Sequence, residues 1–420
     1  MSDVKEILSD TQAVLLLCGY FGKMAPGAAK PLAAGEYGRL AKWLVERRQR
    51  PSDLLDMEDA DLAAVVEAKL EPSRVRSLLR RGTALALATE KWLRSGLWIL
   101  SRSDEDYPKR LKKRLGLDAP ALLYGAGDPK LLVRGGLAIV GSRNASEAAL
   151  EFTHEVAARC GAEGIAVVSG GARGIDSAAM QAAGEAGGIA IGVLADGLLA
   201  AIRNRQNRVG LEAGKLALLS PFYPEAGFNA GNAMARNRCI YALADYALVV
   251  QSDLNKGGTW AGATENLREG WVPLFVRPDP NVPGNAELIR KGARPFDYDS
   301  RAREPLRAWL DGRLDDREPT ELFPPKTAVQ QQTAKYETPP AVNRPPAQEQ
   351  SAGLDLYGEF LRRLVVIVRD KPLSQKDIAK SLALEAAQAK AWLRKAVQDG
   401  AVELGGKTKK YALPQRRLFE

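Results

Sequence analysis

The sequence predicts an α/β protein: an open, doubly wound parallel sheet, with a helical domain before it and a winged-helix domain after it. Three observations carry this. Short apolar runs alternate with helical stretches from about residue 97 to 296. The first 92 residues show helical spacing. The last 65 run helix, helix, helix, hairpin. A chain of 420 residues is too long for one ordinary core, so two or three domains are expected.

Residues 1–92 form the expected helical domain. "LAKWLVERRQ", "DLAAVVEAKL" and "RVRSLLRRGTALALATEKWLRSG" carry apolar residues three and four apart. "PSDLLD" and "EPSRVRSLL" offer Pro, Ser and Asp as helix starts. Nothing in this segment points to chemistry.

Residues 93–312 form the expected sheet domain. Its strands are "LAIVGS", "IAVVSG", "GIAIGVLA", "KLALLSP", "YALVVQS" and "WVPLFVRP". "ASEAALEFTHEVAARCGAEG" and "IDSAAMQAAGEAGG" are helices between them. Near-continuous apolar strands separated by helices mark βαβ units, with helices covering both faces. Such sheets bind ligands at the carboxyl ends of their strands.

Residues 313–354, rich in Pro, Gln and Thr, hold too few core residues to bury a core and read as a flexible linker. Residues 355–420 read as the winged helix. "LYGEFLRRLVVIVRD", "LSQKDIAKSL" and "ALEAAQAKAWLRKAVQDGA" are its helices, the second capped by Ser374 with Asp377 three residues on. "VELGGKTKKYALP" is its hairpin, turning at Gly405-Gly406. Lys390, Arg394, Lys395, Lys407, Lys409 and Lys410 are its candidate phosphate contacts, although such domains also dock proteins.

The net charge is +9. From Leu356 on there are 14 Lys and Arg against 7 Asp and Glu, so most of the excess is local and suits a polyanion. Three distant cysteines (Cys18, Cys160, Cys239) and the single histidine, His154, argue against a zinc site or a histidine-based triad. The cysteines read as reduced thiols of a cytoplasmic protein. No metal or cofactor is expected. The run "AVLLLCGYFG" is too short to span a bilayer, and no membrane contact is expected.

Three glycine-rich turns follow strands. The first is Gly141-Ser142-Arg143. The second runs through Ser169, Gly170, Arg173, Gly174 and Asp176. The third is "NKGGTWAGATENL", with Lys256 near its start. Glycines let backbone N–H groups converge on an anion at a helix start, and arginine forks match phosphate oxygens. Asp176 is placed to orient Arg173 or to cap its helix. Any βα junction favours glycine, but three such turns, two with arginine, favour phosphate binding. Arg236-Asn237-Arg238, at the start of another helix, adds cations and an amide near the same edge.

These motifs resemble those of the DprA/Smf family of DNA-processing proteins. "AIVGSR", "SGGARGIDSAA", "ARNR", "GGTWAGATENLREGWVPLFVRP" and "GNAELIRKGARPF" follow the family's order, after an approach segment containing Tyr107-Pro108 and Leu111. The likeness covers about residues 95–297. It implies an extended Rossmann-like core, a non-enzymatic single-stranded DNA-binding role, loading of a RecA-type recombinase in natural transformation, and a homodimer. By matching position it implies that Gly141, Ser142, Arg143, Gly170, Arg173, Gly174, Asp176, Arg236, Asn237, Arg238 and Lys291 line the DNA site.

The departures define a divergent member. Ala233 and Met234 stand where the family has Phe-Pro, and Met180 replaces a usual histidine. Phe228 and Tyr223 are candidate replacements for the missing ring. A nucleotide-binding sensor, or a nucleotide-cleaving enzyme using Glu265, is the rival expectation, with the winged helix as its regulator. "GGTWAGATE" departs from the glycine pattern such an enzyme needs.

Overall fold

The computed structural model describes residues 7–22, 24, 27–315 and parts of 360–412. Residues Met1–Phe323 and Pro324–Glu420 form two units.

Five helices open the first unit: α1 Ser9–Cys18, α2 Ala34–Glu46, α3 Asp59–Leu62, α4 Pro72–Leu79 and α5 Gly82–Arg94. In α2, Leu40, Trp43 and Leu44 share one buried stripe, as their spacing requires. These helices do not close a core of their own. Leu15, Leu40 and Trp92 pack in one cluster with Tyr124, Leu216 and Leu218 of the sheet.

The sheet has nine strands: β1 Trp98–Ser101, β2 Leu122–Ala126, β3 Leu137–Val140, β4 Val167–Ser169, β5 Ala190–Val193, β6 Leu216–Ser220, β7 Tyr246–Val249, β8 Leu274–Val276 and β9 Arg294–Pro295. Their order is β1-β2-β6-β5-β4-β3-β7-β8-β9. From β6 through to β9 neighbouring strands are parallel, with Ile139 level with Leu248. The six expected strands are all present. Three further strands are present: β9 adds a parallel strand beside β8, and on the other edge β2 pairs antiparallel with β6 and β1 antiparallel with β2.

Nine helices connect and follow these strands: α6 Lys109–Leu115, α7 Glu147–Ala162, α8 Ile175–Glu185, α9 Leu198–Ala201, α10 Arg205–Glu212, α11 Ala230–Leu243, α12 Gly257–Glu269, α13 Pro283–Arg290 and α14 Leu306–Asp315. Leu137 and Ile139 pack with Val156 of α7, Ile175 of α8 and Trp309 of α14. Ala138 and Val140 pack on the other face with Ile240, Ala263 and Leu288. Alternate residues of one strand thus feed two cores, which is why the run is apolar throughout. Each fully buried Leu or Phe contributes about 1.5–3 kcal/mol. α14 continues to Asp315, past the expected linker start, and Arg313 pairs there with Asp297 at 3.0 Å.

The chain runs from β3 outward to β6, then returns to β7 beside β3 and continues the other way. The β3–β7 border is therefore the topological switch point.

In the second unit, β10 Leu373–Ser374 and β11 Glu403–Gly405 flank β12 Lys410–Ala412, all pairs antiparallel. Helix α15, Gln375–Ser381, begins beside Ser374, whose hydroxyl accepts the Asp377 N–H at 3.3 Å. Phe360, Leu364, Ile378, Leu393 and Tyr411 share a small core. Arg394 and Lys410 are exposed. Lys390, Lys395, Lys407 and Lys409 lie outside the described residues, as do Gly406, Gly400 and the expected linker beyond residue 315.

Candidate functional site

A cleft of about 650 Å³ opens at the switch point. Its floor is the turn after β3. Thr259, at the start of α12, donates its hydroxyl to the Gly141 carbonyl at 3.0 Å, and the Ser142 N–H donates to Gln251 beyond β7 at 2.9 Å. The Ile175 N–H donates to the Ser142 carbonyl at 3.3 Å. The three glycine turns are thus tied into one edge. Gly174 carries φ +89°, and a side chain there would also strike the Ser142 carbonyl.

The centre of the cleft is Arg236. This arginine is only 4% exposed, and Asp176 is 7% exposed. Arg236 Nη1 lies 3.8 Å from Asp176 Oδ2, which is ion-pair but not hydrogen-bond distance. Its Nε and Nη1 have no hydrogen-bond partner among the described residues. A Cβ at Gly170 would collide with both the guanidinium and the carboxylate, so only glycine admits this pair. Burial raises the Asp176 carboxyl above the usual aspartate range; Arg236 and the N–H groups of Gly141, Ala172 and Gly170 oppose that rise. Burial likewise lowers the Arg236 guanidinium, against the pull of Asp176. A buried cation with two unused donors is costly unless an anion arrives to take them.

Other predicted residues join it. Arg143, exposed on its loop, lies over the Phe228 ring with 5.1 Å to the centroid. Asn237 Nδ2 donates to the Gly258 carbonyl at 3.1 Å. Lys256 precedes α12 on the cleft wall, mostly exposed and 3.9 Å from Asp253. The α12 N-terminus adds free N–H groups and a favourable dipole.

Six expectations change. Ser169 is buried and donates to the Ile139 carbonyl at 2.6 Å, so it is spent within the sheet. Arg173 donates to Asn144 at 2.6 Å and is not on the cleft wall. Asp176 serves Arg236, not Arg173. Arg238 points around α11, away from the cleft, and pairs with Glu265 at 2.7 Å. Lys291 ends α13 beside Glu287 at 3.7 Å, outside the cleft. Arg236-Asn237-Arg238 also lies in the middle of α11, which starts at Ala230 under an Asn229 cap, and not at a helix start. The Arg236–Arg238 split follows because the helix turns about 200° over two residues. Glu265, tied to Arg238 and Arg268, does not line the cleft either.

Asn144, Thr259 and Trp260, which are not among the expected contacts, also line the cleft. Thr259 and Trp260 stand inside the third glycine turn already quoted, so their position was the available signal. No group of three metal-ligating side chains occurs among the described residues, and no described helix is long and apolar enough to cross a membrane.

The pattern that defines the DNA recombination-mediator protein A family matches residues 98–304, from β1 to the approach to α14. DNA processing protein DprA of Bacillus subtilis (strain 168) is 31% identical over 205 residues, 47% of this chain and 68% of that protein. The chain belongs to the DNA recombination-mediator protein A family. Protein Smf of Escherichia coli (strain K12), a further member by likeness, is 33% identical over 200 residues, 46% of this chain and 53% of its own. The solved DprA of Streptococcus pneumoniae shares the fold, with a TM-score of 0.55 at 23% identity, across 69% of this chain and 95% of that one. The matched stretch contains every residue of the cleft. The N-terminal helices and the second unit lie outside the match.

Proposed function

We propose that the cleft binds single-stranded DNA through its phosphates, in a DNA-processing role that is not enzymatic. The observation that carries this is Arg236: a buried guanidinium on the cleft lining with Arg143 and Lys256, its Nε and Nη1 without a hydrogen-bond partner among the described residues. Charge-assisted contacts of this kind give sequence-independent affinity for a phosphate chain. Phe228, 58% exposed under Arg143, offers a ring on which a base can stack where the family's Phe-Pro is missing. Membership of the family supports the same reading.

On this reading the protein works in the cytoplasm, where it protects exposed or incoming strands and delivers them to a RecA-type recombinase, acting as a homodimer. The second unit is a winged helix whose exposed Arg394 and Lys410 add contacts to nucleic acid. Co-sedimentation with recombinase on coated strands, light scattering of the free protein, and duplex binding by an Arg394→Ala/Lys410→Ala variant test these three points separately.

The primary test is fluorescence anisotropy of a labelled oligonucleotide at several salt concentrations. Tight binding should weaken with salt, with a log–log slope of about −0.7 per phosphate neutralised. Arg143→Ala combined with Arg236→Ala should abolish most of it. A preference for duplex, or indifference to the double replacement, would overturn the reading. Saturable competition by a mononucleotide alone would favour a small-nucleotide sensor instead.

A further inference from the structure

The concave surface does not stop at the phosphate cleft. The cleft shares Met234, Asn237, Trp260 and Ala261 with a second hollow between α11 and α12. That hollow shares Ala235 and Arg238 with a third cavity of about 560 Å³. The third cavity lies between α11, the segment after β6, Cys18 and Tyr20, residues 32–35, and the stretch from Leu115 to Tyr124. Residues 236, 237, 238 and 235 occupy successive sectors of one helix at about 100° per residue. The hollows therefore adjoin one another around α11, from Arg236 through Asn237 and Arg238 to Ala235.

The third cavity differs in chemistry from the first. Its walls are mainly apolar and aromatic. Tyr20 and Tyr223 are half-buried there, and their rings stack with centroids 6.1 Å apart and planes 28° apart. Phe222 stands beside them. Arg238 is the cation on its lining, at the border with the second hollow. Asp118 is the carboxylate on its lining. A pocket of rings with a cation at its entrance suits a flat, uncharged group attached to an anion. A nucleobase on a phosphate chain has that form. Asp118 repels a phosphate but accepts the exocyclic amino group of adenine, cytosine or guanine.

We propose that this third cavity is a nucleobase subsite for the same strand whose phosphate sits at Arg236. The proposal rests on the single-strand reading above. Tyr20 and Tyr223 provide the stacking surface. Arg238 holds the intervening phosphate by exchanging part of its pairing with Glu265. Asp118 favours amino-bearing bases over thymine. The N-terminal segment, which lies outside the family match, thereby becomes one wall of the DNA path.

The experiment uses the full chain and 12-mers carrying one 5-iodo-2′-deoxycytidine at each position in turn. After irradiation and digestion, mass spectrometry locates the cross-link. A cross-link on Tyr20 or Tyr223 at one position, and near Phe228 at another a few nucleotides away, is the expected result. Tyr223→Ala should weaken the 12-mer by roughly 5- to 150-fold, the range for losing one base stack, and leave a dinucleotide unaffected. Tyr223→Phe keeps the ring and should restore the 12-mer. Arg143→Ala should weaken both lengths.

Suppose the 12-mer binds, Arg143→Ala weakens it, yet no cross-link reaches Tyr20 or Tyr223 and Tyr223→Ala binds like wild type. The subsite is then wrong and the phosphate cleft stands. If wild type binds no strand, or Arg143→Ala changes nothing, the reading beneath it fails and the subsite falls with it. The cross-link map needs no substitution, so a variant that folds poorly does not decide the matter.

Discussion

The C-terminal end and the middle of α11 use arginine in opposite ways. At the C-terminal end, Arg110 and Arg114 of α6 reach in from outside. Arg110 Nη1 donates to the Leu243 carbonyl at 2.7 Å and to Asp245 at 3.0 Å. Arg114 Nη1 donates to the Ala242 carbonyl at 2.9 Å and to the Ala244 carbonyl. These are the orphan carbonyls that every helix leaves at its end, and the cations also meet the negative end of the dipole. At mid-helix, Arg236 is more deeply buried, has a carboxylate 3.8 Å away, and has two donors without a hydrogen-bond partner among the described residues. An arginine that holds the fold spends its donors on the protein. An arginine that awaits a ligand keeps them, at a cost in stability. Burial alone does not separate the two; unused donors together with a place on the cleft lining do, since Arg76 and Arg277 also hold an unpartnered donor but lie outside the cleft.

The largest expected effect tests that account directly. Asp176→Asn removes the charge that compensates Arg236 and should destabilise the fold by about 3–5 kcal/mol, as for a broken buried ion pair. Added inorganic phosphate should recover a good part of the loss, because it supplies the missing anion. Thermal melts with and without phosphate measure both. A variant as stable as wild type, or one that phosphate does not help, would erase the distinction between the two kinds of arginine.

Next in size is Gly170→Ala. The added Cβ evicts the guanidinium without deleting any charge. Strand binding should weaken by about 1.5–3 kcal/mol, the worth of a hydrogen bond to a charged group, or roughly 10- to 150-fold. Anisotropy at fixed salt gives the number. Arg114→Ala should do the reverse. It leaves strand affinity unchanged and costs about 1–3 kcal/mol of stability from unpaired carbonyls, with no rescue by phosphate. Urea unfolding reads that loss. Equal effects of both variants on binding would show that α11 responds as one rigid body.

The same comparison explains what the residues disclosed before the fold was seen. The six central strands were legible because a sheet covered on both faces needs apolar residues at every position, as in Leu137–Val140. Gly141 and Arg143 were legible as parts of a glycine turn, and Arg236 as a cation near the same edge, although it lies mid-helix and not at a helix start. β1 and β2 were not, because an antiparallel edge of four or five residues carries no βα signature. Nor could spacing tell Arg236 from Arg238, since the difference is which side of α11 faces the switch point. Ser169 and Lys291 failed for a related reason: a hydroxyl or an ammonium beside a motif takes whichever partner is nearest, here Ile139 and Glu287.

The smallest expected effect contrasts two carboxylates instead of two arginines. Glu36 accepts from Arg74 Nη1 at 2.7 Å and Nη2 at 3.0 Å, and from the Ala33 N–H at 2.8 Å. The Arg74 hydrogen bonds hold its carboxyl below the usual glutamate range, against the opposing pull of burial. Asp176 is shifted the other way, upward, by burial. Because the folded pKa of Glu36 lies below its unfolded value of about 4.3, its contribution is complete above that pH and drains away as pH falls through the folded value. The difference in melting temperature between wild type and Glu36→Gln should therefore be flat from about pH 8 to 5 and shrink below about pH 4. A difference that grows on acidification would reverse the sign and remove Arg74 as its cause. Ala33–Gly35 also form part of the third cavity's wall. A Glu36→Gln variant should accordingly weaken a 12-mer more than a dinucleotide at neutral pH, which Gly170→Ala should not do.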